Sequence, residues 1–359
     1  MLKTFNYIGS KLKLLDFLKE NIEEYTHKKI SDIKSFGDLF SGTGVVGYFF
    51  AKRGCLNIVS NDIQHYGYVV SSIITTNGIN IIKLTDILND INNMLTDIKD
   101  TSLANNSHFI YNTYTEACIE EQRMYLTKLN GLKTDIARQY IEQLFNNHSL
   151  TNEEYRCLIK ILLYAVTKVS NVASVYAAYL KQYKKPSLKE LFLDAQILHN
   201  LLVSDTIVHK SYNNDIRDFV SNMQFTEVVY LDPPYNNRRY DQNFHLLETI
   251  SKYDYPIVKG KTGQRVNENS GAKMFCSKTN INKEFTNLVD KLNAKYLFIS
   301  YNSEGLLSKN DIISILSNRW TDIDCIEKQY IRFKSNTNNE EQQQKYITEY
   351  LFRAKKINL

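Results

Sequence analysis

Apolar and polar positions divide the chain into an α/β frame interrupted by a long helical stretch. Leu12, Leu14, Leu15 and Leu18 recur at helical spacing and predict an amphipathic helix to about Asn21. Ile33–Phe40 and Leu56–Asp62 are apolar runs of strand length. Between them lie a glycine-rich turn and an apolar helix from Val45 to about Lys52, ended by Gly54. Ile79 to Leu84 reads as a further short strand, with Asp86 just past its end. The character then changes. From about Thr96 to Leu202 the only glycine is Gly131, and helical patterns dominate. Thr134 to Phe145 predicts one amphipathic helix. Thr151-Asn152-Glu153-Glu154 is an N-cap with an acidic first turn, opening a long helix towards Lys185 that Pro186-Ser187 stops. The α/β pattern resumes with strands at Thr206–Tyr212, Val228–Leu231 and Ala294–Tyr301, and a helix at Glu284–Leu292. Ile323–Phe333 and Tyr346–Phe352 predict a closing antiparallel pair, joined by the polar segment Lys334–Lys345. The expectation is a Rossmann-like α/β fold with a mainly parallel sheet, built from 1–95 and 203–359. A helical insert, 96–202, is the candidate recognition domain.

Composition sharpens this little. A chain of 359 residues with 43% hydrophobic content supports a sizeable core. The five cysteines are scattered without a C-x-x-C pair, which argues against a disulfide framework or a metal site and for a reduced, cytoplasmic protein. No signal-peptide pattern and no apolar run of about 18 residues suggest a membrane. A net charge of +5 permits nucleic-acid binding without requiring it.

The chemistry gathers at strand ends. Asp38-Leu39-Phe40-Ser41-Gly42-Thr43-Gly44 is a strand running into a turn where Gly42 and Gly44 let the backbone approach a ligand, and Gly47 permits tight helix–strand packing. The G-x-G-x-x-G spacing alone is a weak signal. Asp62, at the end of the next strand, stands where an acid holds the ribose of an adenosine-containing cofactor. A dinucleotide and S-adenosylmethionine both fit that much. Asp38 separates them: a carboxylate there would repel a pyrophosphate but suits the ammonium of a methionine moiety, with Lys11 opposite its carboxylate. Gly9-Ser10 before the first helix adds backbone N–H groups for an anion. Asp86 is a further candidate beside the adenine, and Asp215 lies at the end of the strand preceding Val228–Leu231.

Only four prolines occur, and two of them are adjacent in Asp232-Pro233-Pro234-Tyr235, at the end of the apolar run Val228–Leu231. Prolines end a strand, having no N–H for the ladder. Ligands of open α/β sheets bind beyond such carboxyl ends. One acid, one proline carbonyl and one ring suit a planar group bearing an NH2. Downstream, Asn236–Asn280 reads as long and irregular, with eight basic residues against four acidic ones, a local +4 of the whole-chain +5. Arg238, Arg239, Lys259, Lys261, Arg265 and Lys273 are its candidate phosphate contacts, interleaved with Tyr240, Phe244 and His245.

In this order the motifs resemble those of the Dam-like DNA adenine methyltransferases: Tyr7-Ile8-Gly9-Ser10-Lys11, Asp38 to Gly44, Asp62, then Asp232 to Tyr235. The longer strings Asp232 to Tyr240, His245 to Ile250 and Ser300 to Gly305 resemble a subgroup from restriction–modification systems. The match spans nearly the whole chain and is weakest in the helical insert. The resemblance implies a methyltransferase fold in which Tyr7, Gly9, Lys11, Asp38, Phe40, Gly42, Gly44, Asp62 and Asp215 hold S-adenosylmethionine, and Asp232, Pro233 and Tyr235 act on an exocyclic amine of a flipped base. It implies double-stranded DNA and a cognate restriction endonuclease as partners, and no metal. Methylation of the cytosine amine is the nearest rival, although such relatives usually carry Ser at position 232. Glutamine-side-chain methyltransferases typically have Asn there. An RNA substrate and an inactive DNA-binding scaffold of the same fold complete the alternatives.

Overall fold

The computed structural model describes residues 11–72, 74–237, 239–266, 270–331 and 346–357. Tyr7, Gly9, Arg238 and the segment Lys334–Lys345 lie outside them. In chain order the strands are β1 (Phe36–Asp38), β2 (Asn57–Asn61), β3 (Val208–Tyr212), β4 (Thr226–Leu231), β5 (Val258–Lys259), β6 (Gln264–Arg265), β7 (Ala294–Asn302), β8 (Trp320–Ile331) and β9 (Tyr346–Lys356). The described chain divides into two units, one of 11–63, 207–239 and 270–357, the other of 64–206 and 240–266.

The first unit is a seven-stranded sheet in the order β3-β2-β1-β4-β7-β9-β8. Strands β1, β2, β3, β4 and β7 run parallel, and β9 is antiparallel to both β7 and β8. This is the expected mainly parallel frame with an antiparallel closing pair, although β8 and β9 extend beyond the predicted apolar runs. β4 is buried along its whole length, which is why its sequence is a continuous apolar run rather than an alternating one. The direction of winding reverses between β1 and β4, which opens a crevice at their carboxyl ends. Asp38 lies beside Tyr230 in register, so both strands deliver their acids to that end. The helix Val45–Ala51 lies close on β2, because a Cβ at Gly47 would already stand 3.3 Å from Ile58 Cγ2. Leu39, Val229, Leu231, Leu297, Phe285 and Trp320 belong to the core of this unit.

The second unit is helical, and the expected insert lies within it. The segment expected as a strand at Ile79–Leu84 belongs instead to the helix Ile81–Asp97. Its apolar run continues at Leu84, Leu88, Ile91 and Leu95, the stripe of a helix, and Asn80 caps it by accepting from Lys83 N–H. Asp86 is therefore an exposed helix residue and not a strand-end acid. The helix predicted at Thr134–Phe145 extends over Lys128–Asn146. Thr151 and Glu154 form a capping box as their spacing implies, but the helix ends at Val169 rather than near Lys185. Ser170 Oγ donates back to the Val166 carbonyl, and Asn171 takes the chain away: its amide donates to the Leu180 carbonyl and accepts from Lys184 N–H. The basic stretch is more ordered than its composition suggests. It contains helices Tyr240–Asn243 and His245–Lys252 and the hairpin β5–β6. Among the described residues no helix is long and apolar enough to cross a membrane.

Candidate active site

The glycine turn after β1 needs its glycines. Gly42 (φ 49°) and Gly44 (φ 69°) both adopt left-handed backbone conformations. Gly44 N–H donates to the Ser41 carbonyl at 2.7 Å, and Gly42 N–H donates to Asp62 Oδ2 at 2.7 Å. The acid at the end of β2 thus ties down the turn after β1. Asp38, buried beneath the turn, accepts from Gly47 N–H at 3.3 Å. Burial pushes its carboxyl up to about 7, helped by the nearby charges of Asp232 and Asp62 and opposed by the Gly47 hydrogen bond. Phe40 leaves the strand end half-buried, edge-on to Phe275 at 5.6 Å.

Lys11 opens the short turn Lys11–Leu14 ahead of the first helix and is buried. Its ammonium lies 3.1 Å from Asp232 Oδ1 and 3.9 Å from Glu349 Oε2. Burial disfavours this cation, but the two carboxylates more than offset that and hold Lys11 above the ordinary lysine range. Burial also raises Asp232 and Glu349, with Lys11 opposing it in each. The structure therefore brings Lys11 directly to the Asp-Pro-Pro-Tyr motif. Sequence reasoning missed Glu349. It arrives on β9, opposite Asn302 of β7, and its only signal was an acid inside an apolar strand run.

Tyr235 is held from below. Its ring stands 6.2 Å from that of Tyr301 at 75°, and its carbonyl accepts from Leu306 N–H at 2.8 Å. Tyr301 is buried and also accepts from Leu307 N–H. The Ser300–Gly305 string thus supports the motif. Gly305 sits so close that a Cβ there would be 2.1 Å from Tyr301 Cε1. Tyr230 in β4 donates to Ser300 Oγ at 2.8 Å, joining the two strands beneath the site.

Asp215 caps the helix Ile216–Ser221 and is engaged by Arg217, whose Nε and Nη2 donate to its two oxygens at 2.9 and 2.7 Å. Burial works against this carboxylate, but Arg217 holds it below the usual range. Gly271 packs on it: a Cβ there would lie 1.8 Å from Asp215 Oδ2 and 3.1 Å from Ile63 Cδ1.

The basic candidates are placed differently from one another. Lys259, Lys261 and Lys273 are exposed, and Arg239 is half-buried. Arg265 departs from the expectation of a phosphate contact. It is buried, and its two Nη atoms donate to the Asp254 carboxylate at 2.8 and 2.6 Å, with Thr249 Oγ1 at 3.3 Å. A guanidinium closed off by a carboxylate in this way braces the hairpin and is not presented to a phosphate.

A strand-end acid under a glycine turn and a second acid leading Pro-Pro-Tyr define a Rossmann-like group-transfer site. Residues 7–315 match the family described as D12 class N6 adenine-specific DNA methyltransferase. The chain is similar to the type II methyltransferase M.NlaIII of Neisseria lactamica, 36% identical over 347 residues, covering 96% of this chain and 98% of that protein. M.CviAII of Paramecium bursaria Chlorella virus 1 is 32% identical, covering 92% of each chain. M.FokI of Planomicrobium okeanokoites is 35% identical over 86% of this chain, but the match spans only 46% of that longer protein. The chain belongs to the D12 class of N6 adenine-specific DNA methyltransferases.

Proposed function

We propose that the methyl donor is S-adenosylmethionine, held at the glycine turn, and that the chain is the modification enzyme of a restriction–modification system, acting on adenine within a specific duplex site. The observation that carries the cofactor assignment is Asp38. A buried carboxyl pushed up to about 7, with no cation paired to it among the described residues, suits a ligand ammonium that would restore its charge. Gly42 and Gly44 place no side chain beside it, and Asp62, which ties down the same turn, is the acid assigned to the ribose hydroxyls. Phe40 and Asp215 belong to the same reading, as do Tyr7 and Gly9. Bound there, S-adenosylmethionine supplies an electrophilic methyl group on a sulfonium. The relatives' names as type II methyltransferases support the restriction–modification role; the cognate endonuclease and a cytoplasmic location are part of the same proposal.

The chain's own work is on the adenine amine, whose lone pair is delocalised into the ring. Asp232 and the Pro233 carbonyl accept its two N–H bonds and favour a pyramidal nitrogen with its lone pair directed at the methyl group. Lys11 opposes the upward push of burial on Asp232 and so favours the carboxylate form, which accepts the N–H bond and can take the proton released after transfer. Tyr235, braced by Tyr301, stacks on the base. A base inside a duplex must be flipped out at a cost of a few kcal/mol. Exposed Lys259, Lys261 and Lys273, with Arg238 and Arg239, are proposed to offset this through phosphate contacts. Asp232→Ala tests the assignment. Methylation should fall by on the order of 10²–10³-fold or more, while equilibrium binding of S-adenosylmethionine is largely kept. A variant that still methylates at the wild-type rate would sink it.

A further inference from the structure

The tip of the β5–β6 hairpin is held in an unusual way. All four carbonyls of Gly260-Lys261-Thr262-Gly263 are met by side chains from elsewhere in the helical unit. Arg123, itself buried, donates from Nη2 to the Gly260 carbonyl at 3.0 Å and from Nε to the Lys261 carbonyl at 3.1 Å. His245 Nε2 lies 2.8 Å from the Thr262 carbonyl, and the Tyr125 hydroxyl 3.1 Å from it. Tyr114 donates to the Gly263 carbonyl at 3.0 Å. Arg123 Nη1 is fixed in turn by the Thr113 carbonyl at 2.8 Å. Gly263 (φ 65°) has no room for more: a Cβ there would stand 3.0 Å from both Arg123 Nε and Tyr114 Cε1. The base of the same hairpin is closed by the Arg265–Asp254 pair.

Two buried guanidinium groups and three buried rings are a heavy commitment to one four-residue turn. Its effect is directional. The acceptor ends of four successive peptides point inward, so they are removed from the outer face. What the turn presents outward is Lys259 and Lys261, both exposed and, among the described residues, in no ion pair. Gly260 between them (φ 67°) adds no bulk, and its Cβ position meets nothing within 4 Å. A hairpin serving only to brace the fold has no need of two unneutralised cations on a fixed tip. A protein that grips a duplex does, because phosphate contacts set its register on DNA.

We propose that the Gly260–Gly263 turn is a preformed grip for the phosphate backbone of duplex DNA, and that Arg123 is the residue that positions it. The proposal rests on the DNA-methyltransferase reading and adds to it a surface and a positioning residue. Holding the turn before DNA arrives spares the ordering cost of a loose loop on binding.

The test uses the full chain and a methylatable duplex, with three readouts: DNA affinity against salt, S-adenosylmethionine affinity and steady-state kinetics. Lys259→Gln with Lys261→Gln changes two exposed side chains and should leave the fold intact. It should weaken duplex binding roughly tenfold or more near physiological salt, and flatten the log–log salt slope by about 1.8, at about 0.9 per lost contact. Cofactor affinity should not move. Arg123→Lys keeps the charge but loses the fork that spans two carbonyls. It should raise the KM for DNA several-fold, by more than it lowers kcat. An unchanged affinity and salt slope in the double lysine variant would overturn the grip. An Arg123→Lys protein altered only in thermal midpoint or kcat, with KM unmoved, would overturn its positioning role. A wild-type protein that binds duplex with the expected slope yet methylates nothing would instead count against the methyltransferase reading, so the two failures are distinguishable.

Discussion

Asp38 and Asp232 are both raised by burial, yet they are placed for opposite uses. Asp232 has Lys11 at 3.1 Å, which opposes the push of burial on it; among the described residues, Asp38 has the Gly47 N–H and no such cation. The difference gives a pH test. With the Asp38 carboxyl pushed up to about 7 in the free protein, a ligand ammonium must find it ionised. The affinity for S-adenosylmethionine should therefore weaken as pH falls below 7, by up to about tenfold per unit, and binding there should release a proton. Calorimetry in two buffers of different ionisation heat measures that release; a pH-independent affinity would remove Asp38 from the cofactor site. The same group bears on stability with the reverse sense. A carboxyl raised above its unfolded value of about 3.8 binds its proton more tightly in the folded state, so it costs stability as pH rises from about 4 through 7. Asp38→Asn should raise the unfolding free energy at pH 8 by on the order of 1–4 kcal/mol, seen as a higher thermal midpoint, while cofactor affinity collapses. For Lys11→Met the expectation is a shift of the acid limb of the kcat/KM profile to higher pH, because Asp232 loses the cation that opposes its burial. An unmoved limb would mean that Asp232 does not depend on Lys11 for its charge.

At the scale of elements, the support beneath Tyr235 is where a small change should matter most. Gly305→Ala puts a Cβ where Tyr301 Cε1 now lies 2.1 Å away, and Tyr301 is buried and cannot retreat without disturbing Tyr235. We expect kcat to fall about tenfold or more, the effect of a reacting geometry displaced by about an ångström, with cofactor binding retained. Equal loss of both would show that the fold, not the stacking ring, was damaged. Some elements were legible from local pattern alone. The turn at Gly42–Gly44 and the N-cap at Thr151 were read correctly, since glycine turns and N-caps are dictated by neighbours in sequence. Others were not. The Ile79–Leu84 run looked like a strand because its helical stripe becomes evident only on reaching Leu88, Ile91 and Leu95. The helix end at Val169 depends on Asn171 meeting Leu180 and Lys184, a choice no local propensity expresses.

Across the whole molecule, the parallel frame and its closing pair could be inferred from strand-length apolar runs ending in acids. Long-range pairing supplied what the runs could not. Glu349 reaches Lys11 only because β9 inserts between β7 and β8, and Arg265 is withdrawn from solvent only because Asp254 lies across the hairpin base. The inward-facing carbonyls of Gly260–Gly263 were equally invisible, since Arg123, Tyr114 and Tyr125 precede them by well over a hundred residues. Every assigned role converges on one reaction, and one measurement tests it. The purified chain is incubated with unmethylated duplex DNA and S-adenosylmethionine carrying a labelled methyl group, and the DNA is digested to nucleosides. The label should be recovered in N6-methyladenosine deoxynucleoside, at a defined set of duplex positions. Label in the exocyclic amine of cytosine, or none in DNA despite bound cofactor, would contradict the account.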